Sequence, residues 1–253
     1  MINIAINTFK EIIRNRYLYM IVFFSIIFII FSIILGKLTI GEDSKIIVDF
    51  GLAMIEVFGL LGVLFVGSQL LFKEIEGKTI FLILSKPIKR YEFILGKIMG
   101  FSMTIFIITL FQSILFLVVL FLKDIEIDYL IIWSLINIFL KLEITLVIVF
   151  FLSTFMSNIL TIATALMIYF ASHTFSTLLD LVNKMGNTFA INGIKTLQLL
   201  FPPFEALNTK DIIGNFQNFS IGYFTLNIVY STIYFAIILY FTVVIFSRKK
   251  FEN

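Results

Sequence analysis

Six long apolar runs constrain this chain more than any other feature, because each has the roughly 20 residues that a helix needs to cross a bilayer. The runs are Tyr17–Leu35, Phe50–Phe72, Ile98–Leu122, Tyr129–Met156, Ile159–Thr177 and Tyr223–Phe246. They are continuous rather than alternating, so they predict helices and not the strands of a membrane barrel. With 60% hydrophobic and 14% charged residues, no segment is polar enough to form an additional soluble domain. We therefore expect a single all-α polytopic membrane domain over residues 1–253 with six transmembrane helices.

The charges between these runs predict an orientation. With the N-terminus in the cytoplasm, the inner segments carry twelve basic and five acidic residues, and the outer segments carry six basic and nine acidic residues. Cytoplasmic loops of membrane proteins are enriched in Lys and Arg. The bias predicts that both termini lie inside (N-in/C-in), that segment 73–97 is cytoplasmic and that segment 173–222 is extracytoplasmic.

The first sixteen residues have an amphipathic pattern of their own. Apolar residues recur at spacings of three or four, with Lys10 and Arg14 off that stripe. The stripe consists of Ile2, Ile6, Phe9, Ile13 and Tyr17. This spacing predicts an interfacial helix over residues 1–16 that lies flat on the inner leaflet. A solvated basic tail is the alternative.

The extracytoplasmic segment 173–222 is too long to be a simple loop. Connections of this length without secondary structure are unusual in compact domains, so we expect short helices within it. Ile194, Leu197 and Phe201 fit one helical face, and Pro202-Pro203 would end that helix.

The cytoplasmic segment 73–97 places the short apolar stretch Thr79–Leu84 between two clusters of charges. Gly77-Lys78-Thr79 resembles the end of a phosphate-binding loop, but Phe72 stands where that motif needs a glycine. The chain is therefore not expected to bind ATP or to act as an enzyme by itself. Ser85-Lys86-Pro87 predicts a break, with Pro87 in the first turn of the next helix. The stretch would either dock into a partner protein or lie on lipid headgroups.

The composition gives little support for a metal site or for thiol chemistry. The chain has no cysteine and one histidine, which excludes disulfides and thiolate metal sites. His173 follows the fifth apolar run as a boundary residue, so we expect no metal site and no catalytic residue.

Three ionisable residues lie within the predicted spans: Glu56, Lys141 and Glu143. Such residues are costly in a membrane and usually face a bundle interior or a water-filled cavity. Lys141 and Glu143 are two residues apart and must point in different directions on one helix. Glu56 lies near the outer end of its predicted span, where it could reach water. Both structural pairing and substrate contact remain open for this possible intramembrane polar site.

A family resemblance adds to these observations. The match lies in Lys73-Glu74-Ile75-Glu76-Gly77-Lys78-Thr79, followed by Leu84-Ser85-Lys86-Pro87-Ile88-Lys89-Arg90 and Gly96-Lys97. Together with an N-terminal flat helix and six spans, this resembles the ABC-2 type permeases, the membrane subunits of a class of ABC transporters. The stretch "LLFPPFEALN" at 199–208 is similar to a Pro-containing stretch of the nitrous-oxide-reductase maturation permeases. The association of that subgroup with soft metal ions is not supported for this chain, because it has no cysteine.

The resemblance implies a mechanism and a set of partners. Two permease chains would form the membrane unit, with a homodimer expected, and two copies of a separate ATP-binding-cassette subunit would bind ATP and Mg in the cytoplasm. This chain would bind no cofactor, and segment 73–97 would carry the coupling helix that docks into the ATPase subunit. The residues expected to dock are Glu74, Glu76, Lys78, Thr79, Phe81, Leu84, Ser85, Pro87 and Arg90.

Three functions compete at this point. The leading one is a permease that moves a substrate, with export as the expected direction, across the cytoplasmic membrane of a prokaryote. The second is mechanical transmission of ATPase cycles to an extracytoplasmic partner protein without transport of a small substrate. The third is an ATP-independent channel or secondary transporter, which the absence of an inverted repeat disfavours. No feature indicates nucleic-acid binding.

Overall fold

The computed structural model describes residues 1–38, 43–77, 89–186, 188–209 and 221–249, and these residues form helices and connecting turns without strands. The helices are α1 (Ile2–Ile13), α2 (Arg16–Lys37), α3 (Asp43–Gly62), α4 (Ser68–Glu76), α5 (Arg90–Leu122), α6 (Tyr129–Ser153), α7 (Asn158–Met185), α8 (Thr188–Leu200) and α9 (Ile221–Arg248). A short π-helical segment, Val63–Gly67, joins α3 to α4. The two helices therefore act as one long element.

Six helical stretches are long and apolar enough to cross a membrane, which confirms the predicted number. They are Arg16–Lys37, Asp43–Glu74, Arg90–Leu122, Tyr129–Ser153, Asn158–Phe175 and Phe224–Arg248. Several begin or end outside the apolar runs, because polar residues beyond a run can continue the same backbone hydrogen bonds. α7, for example, continues to Met185 and ends at Gly186, whose φ of +68° favours glycine.

α6 is the central helix of the bundle. About 72% of its apolar stretch is buried inside the chain, compared with 11% for α9. α6 packs against α3, α5, α7 and α9. The charged residues that α6 carries are consequently enclosed by protein.

α1 packs on the first half of α5 through two glycines. A methyl group at Gly96 would lie 2.8 Å from Cβ of Ile4, and one at Gly100 would overlap the carbonyl oxygen of Ala5. The spacing Gly96-x-x-x-Gly100 lets two helix backbones approach closely. Because α1 packs on the beginning of α5 and Arg90 contacts the end of α9, α1 and the end of α9 lie at the same end of the bundle.

The packed face of α1 is not the stripe that the sequence pattern emphasises. The buried residues of α1 are Ala5, Thr8 and Ile12, whereas Ile2 and Ile6 are exposed. α1 therefore has two apolar faces, one against α5 and one that is not covered by the chain. The predicted location on the inner leaflet stays a prediction.

The long segment after the fifth span contains α8. α8 ends at Leu200, immediately before Phe201-Pro202-Pro203, although Phe201 lies beyond it. After α8, residues 201–209 form turns that bury Phe204 and Leu207 inside the bundle. Non-helical backbone at this position is compatible with a membrane only because protein covers it.

Candidate functional site: charged clusters at the bundle end and inside it

Lys97 joins three parts of the chain at the end of the bundle where α1 and the end of α9 lie. Its Nζ is 2.6 Å from Oε1 of Glu74 and 3.1 Å from Oε2 of Glu11. Lys97 is on α5, Glu74 is on α4 and Glu11 is on α1. The Lys97 side chain is 5% exposed, so water screens its ion pair with the largely buried Glu74 only weakly. The two helices that flank the predicted docking stretch are thus tied to each other and to α1.

Arg90 extends this cluster to the end of α9. Its Nη1 donates hydrogen bonds to the carbonyl oxygens of Lys249, at 2.7 Å, and Ser247, at 3.2 Å. These contacts satisfy carbonyl groups that a helix end leaves without partners. Lys249 in turn donates from Nζ to the carbonyl oxygen of Thr154 at 2.6 Å, and its burial lowers the pKa of its amino group. The beginning of α5, the end of α9 and the α6–α7 turn therefore meet.

The residues predicted to dock into a partner are only partly covered by the described structure. Lys78, Thr79, Phe81, Leu84, Ser85 and Pro87 lie outside the described residues. Glu76 is exposed at the end of α4, and Glu74 and Arg90 are fixed by the contacts above.

One boundary prediction for this segment is corrected. Lys73–Glu76 and Arg90–Lys97 are helical, so the connection is shorter than 73–97. α5 begins at Arg90 after an extended Lys89, whose N–H donates to Oε2 of Glu92 at 3.2 Å. The predicted place of Pro87 in the first turn of the next helix falls outside the described residues.

Inside the bundle, Glu56 and Lys141 form a buried ion pair between α3 and α6. The Nζ of Lys141 is 2.9 Å from Oε1 of Glu56, and the same oxygen accepts a hydrogen bond from the hydroxyl of Tyr169 on α7. Glu56 is 4% exposed and Lys141 is 1% exposed. The expectation that Glu56 reaches water is wrong, because α3 begins at Asp43 and places Glu56 deep within the helix.

His173 and Phe204 complete this cluster. The Nδ1 of His173 is 2.9 Å from the carbonyl oxygen of Tyr169, and its Nε2 is 3.3 Å from Nζ of Lys141. A carbonyl only accepts hydrogen bonds, so these contacts assign a neutral imidazole with its proton on Nδ1 and Nε2 accepting from Lys141. Phe204 lies against both Tyr169 and His173, with ring centroids 5.1 Å and 5.8 Å apart.

Tyr169, His173 and Phe204 are the members of the cluster that the sequence pattern did not identify. The sequence pattern indicates a boundary residue at His173, yet His173 contacts the buried Lys141. Tyr169 and His173 are four residues apart on one helix and so share a face, which was a usable signal. Nothing in the pattern placed Phe204 beside them.

Glu143 has a separate environment. Its Oε2 accepts a hydrogen bond from Oγ of Ser102 on α5 at 2.7 Å, and it is 8% exposed. The prediction that Lys141 and Glu143 need different partners is confirmed. The three intramembrane ionisable residues thus belong to two sites, one neutralised by an ion pair and one without a basic partner among the described residues.

A metal site is not formed by the described part of the chain, in which no three His, Cys, Asp or Glu side chains come together.

Comparison with protein families gives one match. Residues 2–251 match the family model described as "ABC-2 family transporter protein". A search of curated proteins finds no significant match.

Proposed function

Because the chain belongs to the ABC-2 family of transporter proteins, we propose that it is the permease subunit of an ABC transporter and couples ATP hydrolysis by a separate ATPase subunit to substrate movement. The observation that carries this proposal is the family match over nearly the whole chain, on a multi-pass helical fold. Members of this family are membrane components and normally work with a separate ATP-binding subunit.

The contacts around segment 77–89 support a docking role for it. The helices before and after it are joined by the Glu74–Lys97 ion pair, and Arg90 joins its end to α9. A force applied to this segment would therefore reach α1, α5 and α9 directly. Rigid, packed connections of this kind are what mechanical coupling requires.

The finer features of the assembly are part of the same proposal. We expect two copies of this chain with two ATPase subunits, which bind ATP and Mg, in the cytoplasmic membrane of a prokaryote. Export, the N-in/C-in orientation and the likeness to nitrous-oxide-reductase maturation permeases are predictions. The uncovered stripe of α1, including Ile2 and Ile6, supports its location on the inner leaflet.

One observation favours the alternative of mechanical transmission to an extracytoplasmic partner. α8 has no buried residue, and large apolar side chains such as Phe189, Leu199 and Leu200 are 69–90% exposed. If α8 lies outside the bilayer, as its place in the predicted extracytoplasmic segment implies, exposed apolar surface of this kind is typical of an interaction site. Recovery of an additional outer-face protein with the ATPase subunit would favour this function over transport.

The docking segment can be tested by co-purification from the native membrane. The double substitution Phe81→Asp and Leu84→Asp places two charges in the apolar stretch. If this stretch docks into a protein interface, both charges would lose their water there, which opposes docking. We expect the ATPase subunit to be lost from the purified complex, while the permease remains folded in the membrane. Quantification of both chains in the eluate measures the result.

Ile127→Asp is the matched control, because Ile127 is 43% exposed in the connection between α5 and α6 at the opposite end of the bundle. It adds a charge without touching the docking segment and should retain the ATPase subunit. An ATPase subunit that stays bound to the double variant would show that docking lies elsewhere. A wild-type chain that recovers no ATPase subunit would overturn both ABC-based functions.

A further inference from the structure

A cavity of about 260 Å³ lies between α5, α6 and α9, away from the Glu56–Lys141 pair. Its lining residues are Ser102, Phe139, Leu140, Glu143, Ile144, Ser231, Thr232 and Phe235. An apolar protein cavity of about 150 Å³ holds one benzene ring. This cavity therefore has room for a polar head group together with part of an alkyl chain.

The carboxylate of Glu143 is the only ionisable group among the residues that line the cavity. Its Oε1 is buried and has no hydrogen-bond partner among the described residues, whereas Oε2 accepts from Ser102. The nearest lysine in sequence, Lys141, is directed to Glu56. A buried carboxylate without a cation is costly, so a positively charged ligand would be stabilised beside it.

The hydroxyl groups of the cavity favour a ligand that donates hydrogen bonds. Ser231 donates to the carbonyl oxygen of Asn227 at 2.6 Å, and Thr232 donates to that of Ile228 at 2.8 Å. Ser102 donates to Glu143. All three hydroxyl protons are therefore in use, so the hydroxyl oxygens and the Glu143 carboxylate can only accept hydrogen bonds from a ligand. An ammonium group carries three donors and no acceptor, whereas an anionic or purely accepting head group would find no donor here.

We propose that this cavity binds the ammonium group of an amphiphilic primary amine, with Oε1 of Glu143 as its counter-charge and the alkyl part against Phe139, Leu140 and Phe235. The proposal also names a substrate class for the permease, and this part of it rests on the proposed function. The same chemistry is offered by a free alkylamine and by an aminophospholipid of the surrounding membrane.

Photo-cross-linking of the full chain in phosphatidylcholine nanodiscs, without an ATPase subunit, tests this site. The probes are a diazirine-bearing alkyl primary amine and the alcohol of equal length, and mass spectrometry maps the labelled peptides. We expect the amine to label residues 139–144 and 231–235 about tenfold more than the alcohol, as charge-assisted hydrogen bonds imply. Glu143→Gln, which keeps the shape and removes the charge, should abolish the difference.

Glu126→Gln is the matched control, because it removes the charge of an exposed carboxylate in the α5–α6 connection and should leave the preference for the amine intact. If Glu143→Gln is not recovered folded, Leu140→Trp adds volume to the cavity wall without changing charge and should reduce labelling by both probes. Equal labelling by amine and alcohol in the wild type, or an amine preference that survives Glu143→Gln, would overturn the proposal.

A competition arm distinguishes the two sources of the amine. Phosphatidylethanolamine in the nanodisc would suppress labelling if a membrane lipid occupies the cavity, and would leave it unchanged if the site selects a free alkylamine. Since no ATPase subunit is present, failure of this experiment leaves the permease function standing. Failure of the co-purification experiment likewise leaves the amine site standing.

Discussion

Lys141 is the residue on which the buried cluster depends most. It is 1% exposed, and its Nζ contacts both Glu56 and His173. Glu56 also accepts a hydrogen bond from the neutral Tyr169 hydroxyl, but removal of the lysine would take away the positive charge of its ion pair. A buried pair of this kind contributes little as a pair, but breaking it is expensive because one charge then remains uncompensated.

Lys141→Met should therefore lower the free energy of unfolding by about 3–5 kcal/mol. Adding Glu56→Gln should recover part of that loss, because this cluster then no longer contains a buried carboxylate. Unfolding in detergent, followed by circular dichroism across the double-mutant cycle, measures both effects. Lys195→Met serves as the control, since Lys195 is exposed on α8 and its loss should change stability little. A Lys141→Met variant as stable as wild type would refute this view of the pair.

At the scale of elements, the contact between α1 and α5 links the N-terminal helix to the predicted docking segment. Thr8 and Ala5 of α1 lie directly over Gly100, and Glu11 on the same helix reaches Lys97. Both contacts lie within about three helical turns of the start of α5. α1 therefore moves with the beginning of α5 unless this contact opens.

Gly100→Ala should loosen α1, because the new methyl group overlaps backbone rather than a flexible side chain. Overpacking of this kind costs about 1–3 kcal/mol. The chain has no cysteine, so Ile12→Cys, at a position that is 1% exposed, provides a unique probe of the covered face. We expect maleimide labelling of this thiol to become about tenfold faster when Gly100→Ala is added.

Gly62→Ala is the matched control for that experiment. Nothing lies within 4 Å of the position that a methyl group would take at Gly62, so the labelling rate should not change. Unchanged labelling in the Gly100→Ala background would mean that α1 is not held by the glycine contact.

For the whole molecule, the charge bias and the fold make a joint prediction about topology. α1 and the end of α9 lie at one end of the bundle, and the α5–α6 connection lies at the other. If the charge bias is followed, the first end is cytoplasmic. This is a property of the entire chain, because no single loop decides the orientation.

Single cysteines can test this orientation against a background without thiols. Ile127→Cys should react with a membrane-impermeant maleimide on intact cells, whereas Lys10→Cys should react only after the membrane is opened; both parent residues are exposed. The cysteine-free parent chain should not react and provides the control. Labelling with the opposite pattern would reverse the N-in/C-in assignment and place segment 73–97 outside.

Much of the fold could be predicted from sequence because the membrane constrains it strongly. The number of spans and the separation of Lys141 from Glu143 follow from run lengths and helical geometry. The predicted helix ends were less accurate, as at Asp43 and Met185. An apolar run marks the residues that favour lipid, whereas backbone hydrogen bonds decide where a helix begins and ends. The second face of α1, which packs on α5, could not be predicted, because hydrophobicity does not mark Ala5, Thr8 and the glycines opposite them as a packing surface.

By itself, the sequence determined that this is a helical membrane protein with six spans, and its loop motif indicated the family that the whole-chain match then showed. These properties depend on composition and on residues close together in the chain, so they can be predicted without knowledge of long-range contacts. Only the tertiary structure decided that Glu56 pairs with Lys141, that His173 joins them and that Glu143 is left beside a cavity. Those outcomes depend on which helix faces meet, and the approach of faces from α3, α5, α6, α7 and α9 is set by packing over the whole bundle.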